Sequence, residues 1–227
     1  MRVAVAVLTY NQIEYDRRDL FEGTVASLRR TDHPFELFLI DNGSSDGTAE
    51  IVASLGGSCF DGLETSPSAG TNRCAHIAVR SGADLCVISD DDMQWSSGWL
   101  ERLVAWWTDA PADLALTGCH LEPDFAWNTM MGVTCYGGVP GLWRSSTGAA
   151  SWSFRGPEWF GPIDVYATGA PDVFACHRLW AQGRRVAQVD LATHEGLGRS
   201  TWGNPTFAQL GWDLGPVHAR LSGAGEA

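Results

Sequence analysis

The chain has 227 residues, of which 44% are hydrophobic and 19% charged, a composition typical of one globular domain and not of a disordered chain. Its 27 acidic and 15 basic side chains give a net charge of -12, which argues against broad binding to nucleic acid or to an anionic membrane. The six cysteines lack a paired or metal-ligand spacing and no apolar run predicts a transmembrane segment, so we expect a cytoplasmic protein with reduced thiols.

The first half of the chain alternates short apolar runs with longer amphipathic segments. Consecutive hydrophobes predict buried strands, and amphipathic segments with caps and glycine stops predict helices. The predicted elements, in chain order, are strand Val3–Leu8, helix Asp19–Arg30, strand Phe35–Ile40, helix Asp46–Leu55, helix Ala69–Arg80, a strand that begins at Leu85, helix Ser97–Thr108 and strand Leu114–Leu121. This alternation indicates an α/β fold with a mainly parallel sheet flanked by helices.

The second half has a different character. Residues 124–168 are rich in glycine, serine, tryptophan and phenylalanine with weak periodicity, which favours loops. The stretch Trp143–Gly161 is a candidate lid, and its tryptophans could either stack on a ligand or fill the core. Further on, a helix is predicted at Asp172–Gln182, a strand at Arg185–Val189 and an aperiodic tail at Gly196–Ala227.

Three consecutive aspartates, Asp90, Asp91 and Asp92, end the strand that begins at Leu85. The carboxyl end of a strand is the usual place for ligand groups in an open α/β sheet. Adjacent carboxylates repel one another unless a cation or a set of donors compensates them. A divalent ion with oxygen ligands would do so and would in turn hold a diphosphate. The triple therefore predicts an enzyme that acts on a nucleotide-linked substrate.

Another carboxylate, Asp41, stands at the end of the second predicted strand and leads into a turn of glycines and serines. In dinucleotide-binding folds such a carboxylate accepts hydrogen bonds from a base or from ribose hydroxyls. Alternatively, Asp41 organises its own turn while Ser44 and Ser45 cap the next helix. The residues alone leave both interpretations open.

Four segments, in order, resemble the motifs of GT-A glycosyltransferases, in particular the large, mostly inverting glycosyltransferase family 2. They are Val7–Asn11, Ile40–Thr48, Ala69–Arg73 and Val87–Met93, the last with its downstream helix start Gly98–Glu101. The resemblance implies a GT-A fold and a metal-dependent glycosyltransferase. Such an enzyme moves a sugar from a UDP-, GDP- or dTDP-linked donor to an acceptor hydroxyl. Direct displacement inverts the anomeric centre, and retention, which also occurs on this fold, is the alternative.

The same resemblance assigns roles to individual residues. The residues expected at the donor are Thr9, Tyr10, Asn11 and Asp41 around the base and ribose, Asn72 and Arg73 near the nucleotide, and Asp90 and Asp91 near the sugar. Asp90 and Asp92 form the DxD pair, although Asp91 could replace either of them. The implied ion is Mn²⁺ or Mg²⁺, held by Asp90, Asp92 and His194, and it neutralises the departing diphosphate. Asp172 is the implied general base toward the acceptor.

Two of these roles have structural alternatives. Asp172 precedes a helix and could simply cap it, and Pro171 stands where the family usually has glutamate. His194 could be a metal ligand or a structural residue. Two side chains on the helix of Asp172 are weaker candidates for phosphate contact, His177 and Arg178. The remaining histidines are expected to be structural: His33, His76, His120 and His218.

We therefore expect a single GT-A domain with a nucleotide-sugar-binding half at residues 1–122, an acceptor and catalytic half at 123–200 and a C-terminal tail at 201–227. One alternative is a sugar-1-phosphate nucleotidyltransferase, but the segment Thr9–Gln12 lacks the basic glycine-rich loop that those enzymes carry. The other alternative is a sugar-nucleotide-binding protein without turnover. The identity of the acceptor is left open.

Overall fold

In the described part of the chain, nine strands form one continuous sheet in the order β3-β2-β1-β4-β9-β6-β10-β8-β7, and a short tenth strand, β5, pairs with β10 beside this path. A computed structural model describes residues 1–59, 66–120, 129–163 and 171–194. The elements are β1 Val3–Thr9, α1 Arg18–Leu28, β2 Glu36–Asp41, α2 Thr48–Ser54, β3 Ser58–Cys59, α3 Pro67–Arg80, β4 Leu85–Asp90, β5 Met93–Trp95, α4 Trp99–Asp109, β6 Leu114–His120, β7 Met130–Tyr136, β8 Val139–Arg144, β9 Ser151–Arg155, α5 Pro171–Ala181 and β10 Arg185–His194.

The strand directions bring the carboxyl ends of the parallel strands to one side of the sheet, including that of the short strand β3, which is parallel to β2. Strand β1 is parallel to β2 and to β4, and β6 is parallel to β10. Since β9 runs antiparallel to both β4 and β6, those two strands also point the same way. We call the side where these strands end the carboxyl edge. It carries the last residues of β1, β2, β4, β6 and β10, which are Thr9, Asp41, Asp90, His120 and His194.

Helices cover both faces of this sheet, as the alternation of elements predicts. Successive side chains of a strand point to opposite faces, so β1 contributes Val3, Val5 and Val7 to the core under α1, α2 and α4. The alternate residues of β1 belong to the other core, under α3 and α5, and they include the alanines Ala4 and Ala6. Small residues let α3 approach closely, since a Cβ on Gly70 would lie 2.7 Å from a methyl carbon of Leu8.

The elements predicted for the first half are confirmed, with shifts at their ends. Helix α2 begins at Thr48 and not at Asp46, because Gly47 has a φ of 89°, outside the helical region. Asp46 instead accepts a hydrogen bond from the Thr48 N–H at 3.0 Å from just outside the helix. In the second half, α5 matches the predicted helix, and β10 runs five residues further than predicted, from Arg185 to His194.

The prediction of loops within residues 124–168 is wrong for most of the described part, which contains β7, β8 and β9. Strand β9 lies between β4 and β6 in the interior of the sheet, and its residues Ser151–Phe154 are buried. The stretch Trp143–Gly161 is therefore not a lid. Its Trp152 is fully buried and donates its indole N–H to the carbonyl of Thr147 at 3.3 Å, so it fills the core.

Four cysteines are buried free thiols, as predicted for structural cysteines: Cys74, Cys86, Cys119 and Cys176. Burial raises the pKa of Cys86 and of Cys119 to about 12, which keeps both thiols protonated and unreactive. None of the helices in the described ranges has the length and apolar character needed to cross a membrane. The predicted tail at Gly196–Ala227 lies outside the described residues.

Candidate active site

The register of the sheet brings together site residues that were predicted from separate segments. Strand β1 lies between β2 and β4, and its register pairs Thr9 with Asp41 and Leu8 with Asp90. The predicted base-and-ribose residues therefore lie next to the first aspartate of the triple. Strand β5, which directly follows the triple, pairs antiparallel with the end of β10. That pairing brings His194 to the triple from the far end of the described chain.

His194 contacts the last aspartate of the triple. Its Nε2 lies 3.0 Å from Oδ1 of Asp92, and both side chains are largely removed from solvent. Burial alone would lower the pKa of His194, but the Asp92 carboxylate and the charge of Asp90 outweigh it, so the pKa is raised. Burial likewise opposes ionisation of Asp92, yet His194 and Arg17 hold the pKa of that carboxyl below its usual value.

A buried arginine, Arg17, occupies the other side of the triple. One of its terminal nitrogens lies 2.6 Å from Oδ2 of Asp92 and 3.0 Å from Oδ1 of Asp91. Motif analysis missed this residue, because Arg17 belongs to no recognised segment. One local signal was available: a cation next to the N-terminus of a predicted helix opposes the helix dipole, so the side chain needs a partner elsewhere.

Asp91 points into the protein and is fully engaged there. Its Oδ2 accepts a hydrogen bond of 2.6 Å from Nε2 of Gln12, a wholly buried side chain, while its Oδ1 faces Arg17. Burial raises the pKa of Asp91 to about 6, although the Arg17 charge pulls it down. Asp90 is the member of the triple that keeps some exposure at the carboxyl edge. Burial of its carboxyl, with the charges of Asp92 and Asp91, raises the pKa of Asp90 to about 8.

Asp41 organises its own turn, as one of the two interpretations expected. The Ser44 hydroxyl donates to Oδ1 of Asp41, and the Ser44 N–H donates to Oδ2 at 3.1 Å. The same hydroxyl accepts the N–H of Asn11 at 2.8 Å, and Oδ1 of Asn11 accepts the N–H of Ser45 at 3.0 Å. These bonds join the loops after β1 and β2. A role of Asp41 and Asn11 toward a nucleotide stays a prediction.

Asn72 and Arg73 on α3 also bind other parts of the chain. The amide of Asn72 pairs with the backbone of Ile163, accepting its N–H at 2.7 Å and donating to its carbonyl at 2.8 Å. Arg73 donates to Oδ1 of Asn42 at 2.9 Å. Asn72 thus links the first half of the chain to the segment that precedes α5. The predicted contacts of both residues with a donor remain predictions.

Comparison with known proteins agrees with this arrangement. The sequence profile described as glycosyl transferase family 2 matches residues 4–132, which is more than half of the chain. The chain belongs to glycosyl transferase family 2. The matched segment includes β1, β2, β4 and the aspartate triple, so the family resemblance of the sequence motifs is confirmed.

Relatives of this family 2 chain include an undecaprenyl-phosphate 4-deoxy-4-formamido-L-arabinose transferase from Serratia proteamaculans, 30% identical over 111 residues, which are 45% of this chain and 32% of the relative. A mannosyltransferase from Pyrobaculum calidifontis, solved with GDP-Man and Mn²⁺, superposes with a TM-score of 0.64 at 20% identity, over 88% of this chain and 59% of that one. TarS residues 1–349 from S. aureus, solved with UDP-GlcNAc, superposes with a TM-score of 0.59 at 15% identity, over 85% of this chain and 58% of that one.

These likenesses establish the GT-A fold that the sequence motifs predict. The chain spans about a third of the length of the curated relative and about three fifths of the two solved chains. The solved proteins are under 25% identical to this chain, so they support its fold and leave its substrates to be argued from its own residues.

The predicted base, Asp172, belongs to the second half of the chain, and a further histidine, His120, ends the first half. Asp172 lies half-buried in the first turn of α5, where its Oδ1 accepts the N–H of Val173 at 2.9 Å. Residues 164–170, which precede it, are outside the described ranges, and its role as a base stays a prediction. His120, expected to be structural, ends β6 at the carboxyl edge, with its ring 6.0 Å from that of His194 and its Nδ1 2.6 Å from the Ser151 hydroxyl.

The weaker phosphate candidates on α5 have other surroundings. Arg178 donates to the carbonyls of Phe160 and Pro162 at 3.3 and 3.2 Å, so it holds the segment before α5. Burial lowers the pKa of His177, which keeps that imidazole neutral at pH 7. Neither side chain is a free cation for a diphosphate.

The donor set at Asp92 and His194 fits a hard divalent ion. Oδ1 of Asp92 is buried without an aligned hydrogen bond, and its 3.0 Å separation from Nε2 of His194 equals that of neighbouring ligands on an octahedral ion with bonds of about 2.1 Å. In the described part of the chain, no three His, Cys, Asp or Glu side chains are already grouped as a complete metal site. The partly exposed Asp90 would have to turn toward the pair to complete it.

Proposed function

We propose that this chain transfers a sugar from a nucleoside-diphosphate sugar to an acceptor hydroxyl. The observation that carries the proposal is the meeting of the aspartate triple with His194 at the carboxyl edge, beside the Thr9–Asp41 pair, in a chain of family 2. The solved relatives with GDP-Man and with UDP-GlcNAc support a donor of this class.

The loops after β1 and β2 are proposed to hold the base and ribose. Thr9 ends β1, Tyr10 and Asn11 follow it, and the hydrogen bonds of Asn11 to Ser44 and Ser45 fix both loops before a nucleotide arrives. A carboxylate has about four acceptor sites, so Asp41 can keep its bonds to Ser44 and still accept from a ribose hydroxyl. Asn72 and Arg73 complete the donor residues from α3, where Arg73 can add a bond to phosphate.

The proposed ligands for Mn²⁺ or Mg²⁺ are Asp90, Oδ1 of Asp92 and Nε2 of His194. We leave Asp91 out of this set because its carboxylate is buried and is held by Gln12 and Arg17. When bound, the ion supplies positive charge that stabilises the departing diphosphate. His194 can bind it only when its Nε2 carries no proton, so its raised pKa makes binding weaken as the pH falls.

Asp172 is proposed to accept the proton of the acceptor hydroxyl. A carboxylate in the first turn of a helix is kept ionised by the helix dipole and by free N–H groups, which suits a base that must start deprotonated. Attack by the acceptor opposite to the leaving diphosphate inverts the anomeric centre. Asp172 lies half-buried in the first turn of α5, a position that supports this role.

The test is thermal stability against UDP-, GDP- and dTDP-sugars, with and without Mn²⁺, followed by release of nucleoside diphosphate. The variants are Asp92→Asn and, as a matched surface control, Glu22→Gln. A Mn²⁺-dependent rise in Tm with one donor, lost in Asp92→Asn and kept in Glu22→Gln, supports the proposal. No shift with any donor at millimolar concentration contradicts it. A shift without any release of diphosphate would identify a binding protein without turnover.

A further inference from the structure

Arg17 is the cation that the aspartate triple holds in this structure. Its side chain is 4% exposed, and those of Asp91 and Asp92 are 9% and 7% exposed, so the three groups form a buried ion cluster. Buried carboxylates without a partner are strongly unfavourable, and breaking a buried ion pair typically costs far more than a surface pair is worth. The fold therefore depends on a positive charge at this point.

The backbone of the loop between β1 and α1 directs the Arg17 side chain toward the aspartates. The N–H of Arg17 donates to the carbonyl of Gln12 at 2.8 Å, and the N–H of Gln12 donates to Oγ1 of Thr48 at 2.7 Å. Asp16, directly before Arg17, has a φ of 52°, a left-handed conformation that non-glycine residues seldom adopt. This strained conformation occurs where the backbone turns the Arg17 guanidinium inward, beneath the carboxyl edge.

The contacts of Arg17 divide the triple into different parts. Asp91 is anchored inside by Arg17 and Gln12. Asp92 is shared: its Oδ2 is held by Arg17, while its Oδ1 faces His194. Arg17 therefore fixes the orientation of Asp92 so that a single oxygen points to the place where a metal ion fits.

We propose that Arg17 is a positioning residue for the metal site, a resident counter-cation that holds Asp91 and Asp92 in place without itself contacting the ion. Asp91 is its anchor and not a ligand. Groups that orient a ligand in this way commonly change metal affinity by ten- to a hundredfold when removed. This role builds on the proposed metal dependence of the transferase, but its test needs no donor sugar.

The first experiment is a double-mutant cycle on the metal-free protein with Arg17→Met, Asp91→Asn and both together. Arg17→Met leaves a buried carboxylate unpaired, and we expect its Tm to fall by about 10 °C in EDTA. The double variant removes that unpaired charge and should recover at least half of the loss. Arg17→Lys, which keeps the charge, should fall between wild type and Arg17→Met. The exposed neighbour Arg18 provides the control Arg18→Met, with a change of about 1 °C.

The cycle discriminates between charge compensation and packing. If Arg17 only fills space, Asp91→Asn cannot rescue Arg17→Met, and a double variant no more stable than Arg17→Met overturns the proposal. If Arg17→Met fails to fold, the double variant and Arg17→Lys still decide: folding of both supports the counter-cation, and failure of both contradicts it.

The second experiment measures Mn²⁺ binding directly, by the EPR signal of free Mn²⁺. The double variant loses one positive and one negative charge, so its net charge near the site equals that of the wild type, and a changed affinity reports positioning. We expect its Mn²⁺ Kd to rise about tenfold, while Asp91→Asn alone stays within about threefold of wild type. Wild-type affinity in the double variant overturns the positioning role. Absence of Mn²⁺ binding by the wild type would instead refute the metal ligands proposed above and, with them, the positioning role of Arg17. The double-mutant cycle on stability would then still test whether Arg17 is a counter-cation.

Discussion

The first 120 residues and the segment from 129 to 194 build the same sheet in different ways. In the first half, helices α1, α2 and α3 connect the parallel strands β1 to β4, which lie side by side in the order β3-β2-β1-β4. In the second half, β9 enters antiparallel between β4 and β6, and β10 lies on the far side of β6. The first half thus forms most of the carboxyl edge locally, while the second half completes it over long distances.

The two halves also hide their polar side chains differently. In the first half many of them collect at strand ends, where they form the candidate site, while Ser89 and Thr117 accept the indole N–H groups of Trp95 and Trp106 within the core. In the second half several lie within the core: Ser153 accepts the indole N–H of Trp107 at 3.0 Å, and Thr147 accepts the side chain of Gln188 at 3.0 Å. A buried serine with a hydrogen-bond partner costs little, yet in a sequence it resembles a loop residue.

The largest expected effect tests whether the two halves divide catalysis between donor and acceptor. Asp172→Asn should lower turnover by about 10²- to 10⁴-fold because it removes the proposed base, while the Mn²⁺-dependent rise in Tm with the donor persists. Asp92→Asn should lose both. The measurement is the single-turnover rate together with donor binding. Loss of donor binding in Asp172→Asn would mean that this carboxylate serves the donor and not the acceptor.

The next prediction tests whether β9 is a buried core strand or part of a lid. Trp152→Ala should reduce the free energy of unfolding by about 3–5 kcal/mol, because it empties a fully buried site between two strands. Trp159→Ala, at a half-exposed position in the same stretch, should cost clearly less. Urea denaturation measures both variants. An unchanged unfolding midpoint for Trp152→Ala would restore the lid interpretation.

A smaller effect is expected at the link between the halves. Asn72→Ala removes both amide bonds to the Ile163 backbone and should cost about 1–3 kcal/mol, since the two backbone groups lose their partner. His76→Ala on the exposed side of the same helix is the control and should change stability by less than about 0.5 kcal/mol. Hydrogen exchange at the Ile163 amide should rise in the first variant alone. Equal stability of the two variants would show that the link is dispensable.

The smallest effect is a pH dependence of the metal-free protein. The pKa of Asp90 is about 8 in the folded state against an ordinary value of 3.8, so the folded state holds an extra proton between these values. Stability therefore falls as the pH rises from about 4 to 8. His194 acts in the same direction, because its folded pKa is also raised and its ion pair with Asp92 is lost above that pKa.

The measurement is Tm in EDTA from pH 5 to 8.5. We expect a decline of several degrees in the wild type, a flatter profile in Asp90→Asn, and a reversal of the decline when Mn²⁺ is present. A Tm of the metal-free wild type that rises over this range would contradict the raised pKa values of Asp90 and His194.

Features of the fold and the site that depend on contiguous residues could be predicted from the sequence, and features that depend on distant contacts could not. The strands β1, β2, β4 and β6 and the helices before His120 follow from apolar runs and caps, and the aspartate triple follows from its place at the end of β4. The short strands β3 and β5 were not predicted. Strand β9 was missed because its Ser153 is satisfied by Trp107 and Thr117, partners that become neighbours only in the fold. Arg17 was missed for the same reason, since its partners lie more than 70 residues away.

By itself the sequence determined the family, the α/β class and the strand ends at which Asp41, Asp90 and Asp92 stand, because strand burial and terminal carboxylates are properties of contiguous residues. Only the tertiary structure decided which groups those carboxylates contact. It placed His194 on Asp92 through the pairing of β5 with β10, and it buried Arg17 against Asp91 and Asp92. The pairing of distant strands brings together charged residues that are far apart in the sequence. Such contacts produce no periodic pattern in the sequence, so they could not be predicted from it.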